Sequence, residues 1–103
     1  MFVYNVSTKG MKSFDWSKDK SELLKRTRGI SFDDVADAIE KGALVDNIEH
    51  PDPGRHPNQK VYIIIFRKYA YAVPYVEDGS KIFFKTIYPS RIYTKKYLND
   101  DSK

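Results

Sequence analysis

The chain has 103 residues, 41% hydrophobic and 31% charged, with eight Tyr and six Phe supplying most of a 15% aromatic content. This composition describes one soluble globular domain with a single core over 1–103, and it excludes extended disorder. The absence of Cys excludes disulfides, thiolate metal sites and thiol catalysis. With no apolar run of membrane-spanning length and no basic-then-apolar leader at residues 1–5, the expected location is the cytoplasm, away from membranes.

The net charge of +4 is sorted along the chain. Residues 9–28 are basic, opposed by Asp15, Asp19 and Glu22. Residues 31–52 carry Asp33, Asp34, Asp37, Glu40, Asp46, Glu49 and Asp52 against Lys41 alone. Residues 60–96 turn basic again, opposed only by Glu77 and Asp78. Such local fields suit a phosphate-rich partner; ordinary solvated faces are the alternative.

In chain order, residues 1–12 read as a short strand or arm. A surface helix over 17–27 is thinly apolar, through Leu23 and Leu24 with Trp16 at its entry, and Gly29 ends it. Ser31 then caps a second helix, with Asp34 in the reciprocal capping-box position. Phe32, Val35, Ala36 and Ile39 recur at helical spacing as its buried stripe, and Gly42 stops it.

A short strand follows over 43–48, and a loop over 49–58 that three prolines and a glycine keep out of helix or sheet. Residues 60–66 are apolar on both faces, as in a central strand. Arg67-Lys68 is a tight connection to a strand over 69–76, where Pro74 demands a bulge or an unpaired edge. Asp78-Gly79 marks a hairpin into a strand over 81–88. Ser90 caps a last helix, and 99–103 form a frayed tail. The expected fold is α+β: two N-terminal helices, an antiparallel three- to four-stranded meander and a C-terminal helix, with the helices on one face of the sheet.

Candidate chemistry concentrates late in the chain. No acidic residue lies between Lys81 and Leu98. Lys85, Arg91, Lys95 and Lys96 therefore form a basic cluster with Tyr88, Tyr93 and Tyr97, cations for phosphate and rings on which RNA bases stack. The chain has two histidines, His50 and His56, and no ligand-spaced partners for them, so no metal and no cofactor is expected. It also lacks a glycine elbow around any Ser and a phosphate-cradling glycine loop.

Phe14-Asp15-Trp16, Lys20 and Arg28-Gly29-Ile30-Ser31-Phe32-Asp33-Asp34-Val35-Ala36, followed by the loop at 51–54 and the Ser90-Arg91 junction, resemble BrnT-like toxins of type II toxin–antitoxin systems. The similarity runs over about residues 14–97. It implies a RelE-like fold, metal-independent endoribonuclease activity against mRNA that inhibits translation and growth, and a cognate antitoxin partner that binds DNA. Trp16, Lys20 and Arg91 occupy motif positions. The chain departs from the family in having Leu24 for Asn, Arg28 for His, Tyr88-Pro89-Ser90-Arg91 for Ile-Ser-Ala-Arg, and Tyr97 for an acidic residue. The resemblance leaves the acid and base open, with Lys85, His56 and Tyr97 as candidates. Arg91 and Lys85 would stabilise the phosphorane. Trp16, Lys20, Lys60, Tyr88, Tyr93, Lys95 and Lys96 would contact RNA. Two rival readings are a ParE-like module that binds a protein target and a non-catalytic nucleic-acid-binding module.

Overall fold

The computed structural model describes residues 13–98, so the expected N-terminal arm at 1–12 and the frayed tail at 99–103 lie outside the described residues. Strand β1 (Ser13–Asp15) leads into helices α1 (Lys18–Arg28) and α2 (Phe32–Glu40). Strands β2 (Leu44–Glu49), β3 (Gln59–Phe66), β4 (Tyr69–Asp78), β5 (Lys81–Phe84) and β6 (Tyr88–Pro89) follow, and helix α3 (Arg91–Leu98) comes last.

Local chemistry sets the helix ends. The Ser17 side chain accepts from the Lys20 N–H to start α1, and Gly29, at a φ of 76°, ends it by donating to the Lys25 carbonyl. The capping box of α2 is complete: Ser31 Oγ accepts from the Asp34 N–H, and the Asp34 carboxylate accepts from the Ser31 N–H. Burial opposes ionisation of Asp34. The Lys25 ammonium at 2.9 Å and the bonds to Ser31 outweigh it and hold the carboxyl below its ordinary value. Buried Ser21 joins the helices by accepting from the Phe32 N–H. In α2 the buried stripe is Phe32, Val35, Ala38 and Ile39; Ala38 takes the place expected for Ala36.

The strands form one six-stranded sheet in the order β1-β5-β4-β3-β2, with β6 on β4. Its body is the expected antiparallel meander, β2 through β5. Two features were not expected. Strand β1 pairs parallel to β5, and the strand expected over 81–88 is broken after Phe84. Residues 85–87 leave the ladder because Ile87 is fully buried in the core, and the Arg28 guanidinium holds its carbonyl from the end of α1. The chain rejoins β4 at Tyr88, opposite Ala72. Between β5 and β6 lies a gap at Val73 and Pro74, where the Pro74 carbonyl accepts from the Lys85 N–H. Pro74 pairs with Val61 on its other side without a bulge, so its missing N–H falls at this unpaired edge.

The helices do not share one face, which corrects the expected layering. Along β3 the side chains alternate: Tyr62, Ile64 and Phe66 join α1 and α2, whereas Val61, Ile63 and Ile65 meet Tyr93 and Tyr97 of α3. The two-sided apolar character of this strand is the sequence trace of that arrangement. A register shift between Leu44 and Asp46 re-aims Asp46, whose carboxylate accepts from the Tyr97 hydroxyl at 2.8 Å.

Phe84 is the hub of the larger core. It is 1% exposed, with ring centroids of Phe14, Trp16, Phe32 and Tyr62 at 5.0, 5.8, 5.8 and 6.5 Å. These rings come from β1, the β1–α1 connection, α2 and β3, so one side chain fastens four segments. Phe84→Ala is expected to lower unfolding free energy by about 3–5 kcal/mol in urea denaturation, and Ser31→Ala by about 1 kcal/mol. A Phe84→Ala loss no larger than that of the cap variant would contradict the hub role.

Candidate functional site

The loop between β2 and β3 is short of regular bonds but not of constraints. Pro51 and Pro53 fix φ on either side of Asp52. The Asp52 side chain accepts from the Arg55 N–H, and its carbonyl accepts from the His56 N–H at 3.0 Å. At the loop ends, the His50 N–H donates to the Gln59 carbonyl and the Gln59 N–H to the His56 carbonyl. These closures fold the loop back on itself and stack the His50 and His56 rings, with centroids 4.1 Å apart and planes 23° from parallel.

The stacked pair lines a cleft of about 390 Å³ with Lys20, Gln59, Pro74, Lys85, Thr86 and Tyr88. They come to the cleft from several parts of the fold. Lys20 stands in the first turn of α1, Gln59 opens β3, and Pro74 marks the gap in β4. Lys85 and Thr86 belong to the stretch that leaves the ladder, and Tyr88 begins β6. The two cations are exposed, and among the described residues no carboxylate lines the cleft, so the local field of these residues attracts an anion.

The groups differ in how they hold protons. His50 Nδ1 accepts from the Asp52 N–H at 3.0 Å, which places the proton of the neutral ring on Nε2. Partial burial lowers the pKa of His50, and the neighbouring His56 lowers it further; Asp52 pulls the other way without prevailing. His50 is therefore a neutral donor through Nε2. Tyr88 is raised above the ordinary tyrosine value by burial and by Tyr93, so its hydroxyl keeps its proton. Lys85 Nζ lies 5.5 Å from the Phe83 ring centroid.

Four of the residues singled out in the sequence, Lys20, His56, Lys85 and Tyr88, meet in this cleft. The others stand elsewhere. Arg91 is exposed at the start of α3, outside the cleft lining. Tyr93 and Tyr97 stack at 6.2 Å against the second core, with Lys96 Nζ 5.8 and 5.4 Å from their rings. Lys95 is exposed on the same helix. Trp16 packs on Phe84 and Phe32 in the first core, and its remaining surface lines a different hollow with Lys18 and Glu22. Lys60 lines a separate cleft of about 560 Å³ with Glu49 and Glu77, a mixed-charge setting less suited to phosphate. His50, Gln59 and Thr86 also line the cleft and are not among the site residues expected from the sequence. The signal for His50 was present: a second His six residues before His56, in a loop where proline and Asp-turn chemistry bring chain ends together. Among the described residues no group of three or more His, Asp or Glu side chains is placed to hold a metal ion.

The depressed pKa of His50 has a sign that can be tested. In the window below the ordinary histidine value of 6.5, the unfolded chain binds more protons at this position than the folded one. The contribution of His50 to stability is thus complete above that value and lost as pH falls through the window. Proton NMR is expected to show His50 titrating below the ordinary range and moving up in His56→Ala; titration at or above 6.5 would contradict the stacked, neutral assignment.

No helix among the described residues is long and apolar enough to cross a membrane. Compared with protein-family models, with curated proteins and with solved structures, the chain gives no match.

Proposed function

We propose that this protein is a metal-independent endoribonuclease, acting as the toxin of a toxin–antitoxin pair. The observation that carries the reading is the stacked His50–His56 pair in one cleft with Lys20 and Lys85 and, among the described residues, no lining carboxylate. The BrnT-like residues at 14–36 support RNA as the substrate and an antitoxin as the partner.

The roles follow from the proton inventory. His56 takes the proton of the ribose 2'-OH, and the 2'-oxygen attacks the adjacent phosphorus. His50 Nε2–H donates to a non-bridging oxygen, and the Lys20 ammonium neutralises the charge that develops on the phosphorane. The bond from phosphorus to the 5'-oxygen breaks as Lys85 gives that oxygen a proton, leaving a 2',3'-cyclic phosphate and a free 5'-hydroxyl. Tyr88, which keeps its proton, donates to the RNA or supports a base. Arg91, Lys95 and Lys96 lie outside the chemistry and serve the backbone of a bound strand.

Labelled RNA incubated in EDTA, alone and in a translation extract, tests the reading. Wild type is expected to yield cyclic-phosphate ends. His56→Ala should lose about 10²–10⁴-fold in rate and Lys85→Ala about 10²–10³-fold. His50→Gln, which keeps an N–H donor, should retain more activity than His50→Ala. Intact RNA with wild type in both settings, or full activity in His56→Ala, would overturn the assignment.

A further inference from the structure

The β3–β4 hairpin turns on Arg67 and Lys68, with Phe66 paired to Tyr69 across it. Both turn residues have positive φ, 53° and 66°, as a two-residue turn of this hand requires. Asn-Gly is the pair that adopts this geometry at least cost, yet the chain places two exposed cations there. Aromatic rings lie beside the turn. The Arg67 guanidinium lies 5.1 Å from the Phe66 ring centroid, and Tyr71 meets Phe66 at 6.1 Å and Tyr69 at 5.7 Å. No acidic residue occurs between Lys60 and Val76.

The tip is joined to the start of α3. The Ser90 N–H donates to the Ala70 carbonyl, the Ala70 N–H donates to Thr94 Oγ1, and Pro89 pairs with Tyr71. Arg91 thus follows directly on a segment bonded to the residues after the turn. Along β4, Tyr69 is five residues from Pro74 of the cleft, roughly 17 Å at strand rise. Beside this stretch runs β6, from Tyr88 in the cleft to the start of α3.

We infer that the hairpin tip is a second contact for single-stranded RNA, reached by the strand that leaves the cleft along β6. Arg67, Lys68 and Arg91 neutralise its phosphates, and the partly exposed Tyr69 ring stacks on a base. This inference rests on RNA being what the cleft binds. The Phe66 contact accounts for Arg67 alone and nothing in the fold accounts for Lys68 at a positive-φ position; a polyanion whose unpaired bases offer flat faces matches both the charge and the rings.

The test uses the full chain and a short unstructured 2'-O-methyl RNA, which binds but lacks the attacking hydroxyl. The double variant Arg67→Asn with Lys68→Gly supplies the residues the turn favours, so it is expected to raise the denaturation midpoint. Its affinity should fall about tenfold, and the salt slope should drop by about 1.4, near 0.7 for each lost phosphate contact on a single strand. Tyr69→Ala should weaken binding by about tenfold with the salt slope retained. Unchanged affinity and slope in the double variant, equal affinity for a duplex of the same sequence, or no binding by wild type would each overturn the inference. Wild type that binds as expected yet never cleaves ordinary RNA would uphold this surface while overturning the cleft chemistry.

Discussion

The packing of Phe84 is the constraint on which the rest of the arrangement depends. Its ring closes the contact among β1, α2 and β3 at the last residue of β5. Once it is buried there, the chain has two ways on: continue along β4, or dive to bury Ile87. It dives, since Ile87 is wholly enclosed and its carbonyl is met by Arg28. Ladder bonds lost over residues 85–87 are offset by apolar burial and by the Lys85 N–H bond to Pro74. The gap this opens beside Pro74 is one wall of the cleft, so the site follows from core packing.

A second constraint works in the opposite direction. The β2–β3 loop carries no core residue, and its order comes from backbone limits rather than burial. Two prolines reduce the states of the unfolded loop, and the Asp52 turn spends its carboxylate locally on the Arg55 N–H. That leaves the two imidazoles as the groups the loop presents to the cleft. The same turn decides their division of labour: the Asp52 N–H occupies Nδ1 of His50, and an imidazole so held can donate from Nε2 but cannot accept there. His56, the partner in the stack, is the ring to which the proposed mechanism gives proton transfer.

Legibility in the sequence followed the range of the interaction. The start of α1 near Ser17, the Gly29 stop, the capping box of α2, the Gly79 hairpin and the cap of α3 at Ser90 are written in neighbouring residues and are legible there. The parallel pairing of β1 with β5 joins residues far apart in the chain, and no local pattern specifies it. The break after Phe84 was hidden because residues 82, 84 and 87 are all apolar; alternation cannot show that Ile87 serves the core from outside the ladder. Placement of α3 on the opposite face was visible in principle in the two-sided β3. Its amphipathic tyrosines were instead read as a ligand surface, although Tyr97 is anchored to Asp46. In the cleft, Lys85, His56 and Tyr88 are legible by residue type and local position, and Lys20 by the motif position it shares with BrnT-like toxins. What brings them together is loop closure and the β4 gap, which no single segment encodes. His50 was passed over because its value lies in its contact with His56.

The β3–β4 ladder gives these separate features a common frame. It is continuous from Gln59↔Val76 to Phe66↔Tyr69, eight paired positions without a bulge, and so spans roughly 23 Å as a stiff element buried on both faces. One end holds Gln59 at the cleft; the other holds the turn at Arg67 and Lys68. Left-handed backbone at a non-glycine residue costs roughly 1–2 kcal/mol. Two such residues would therefore cost a sizeable part of the usual 5–15 kcal/mol of a small domain. A ladder packed between two cores can carry that cost, which an isolated two-stranded hairpin could not. The rigidity that fixes the distance between the cleft and the tip is thus the same property that lets the strained turn persist.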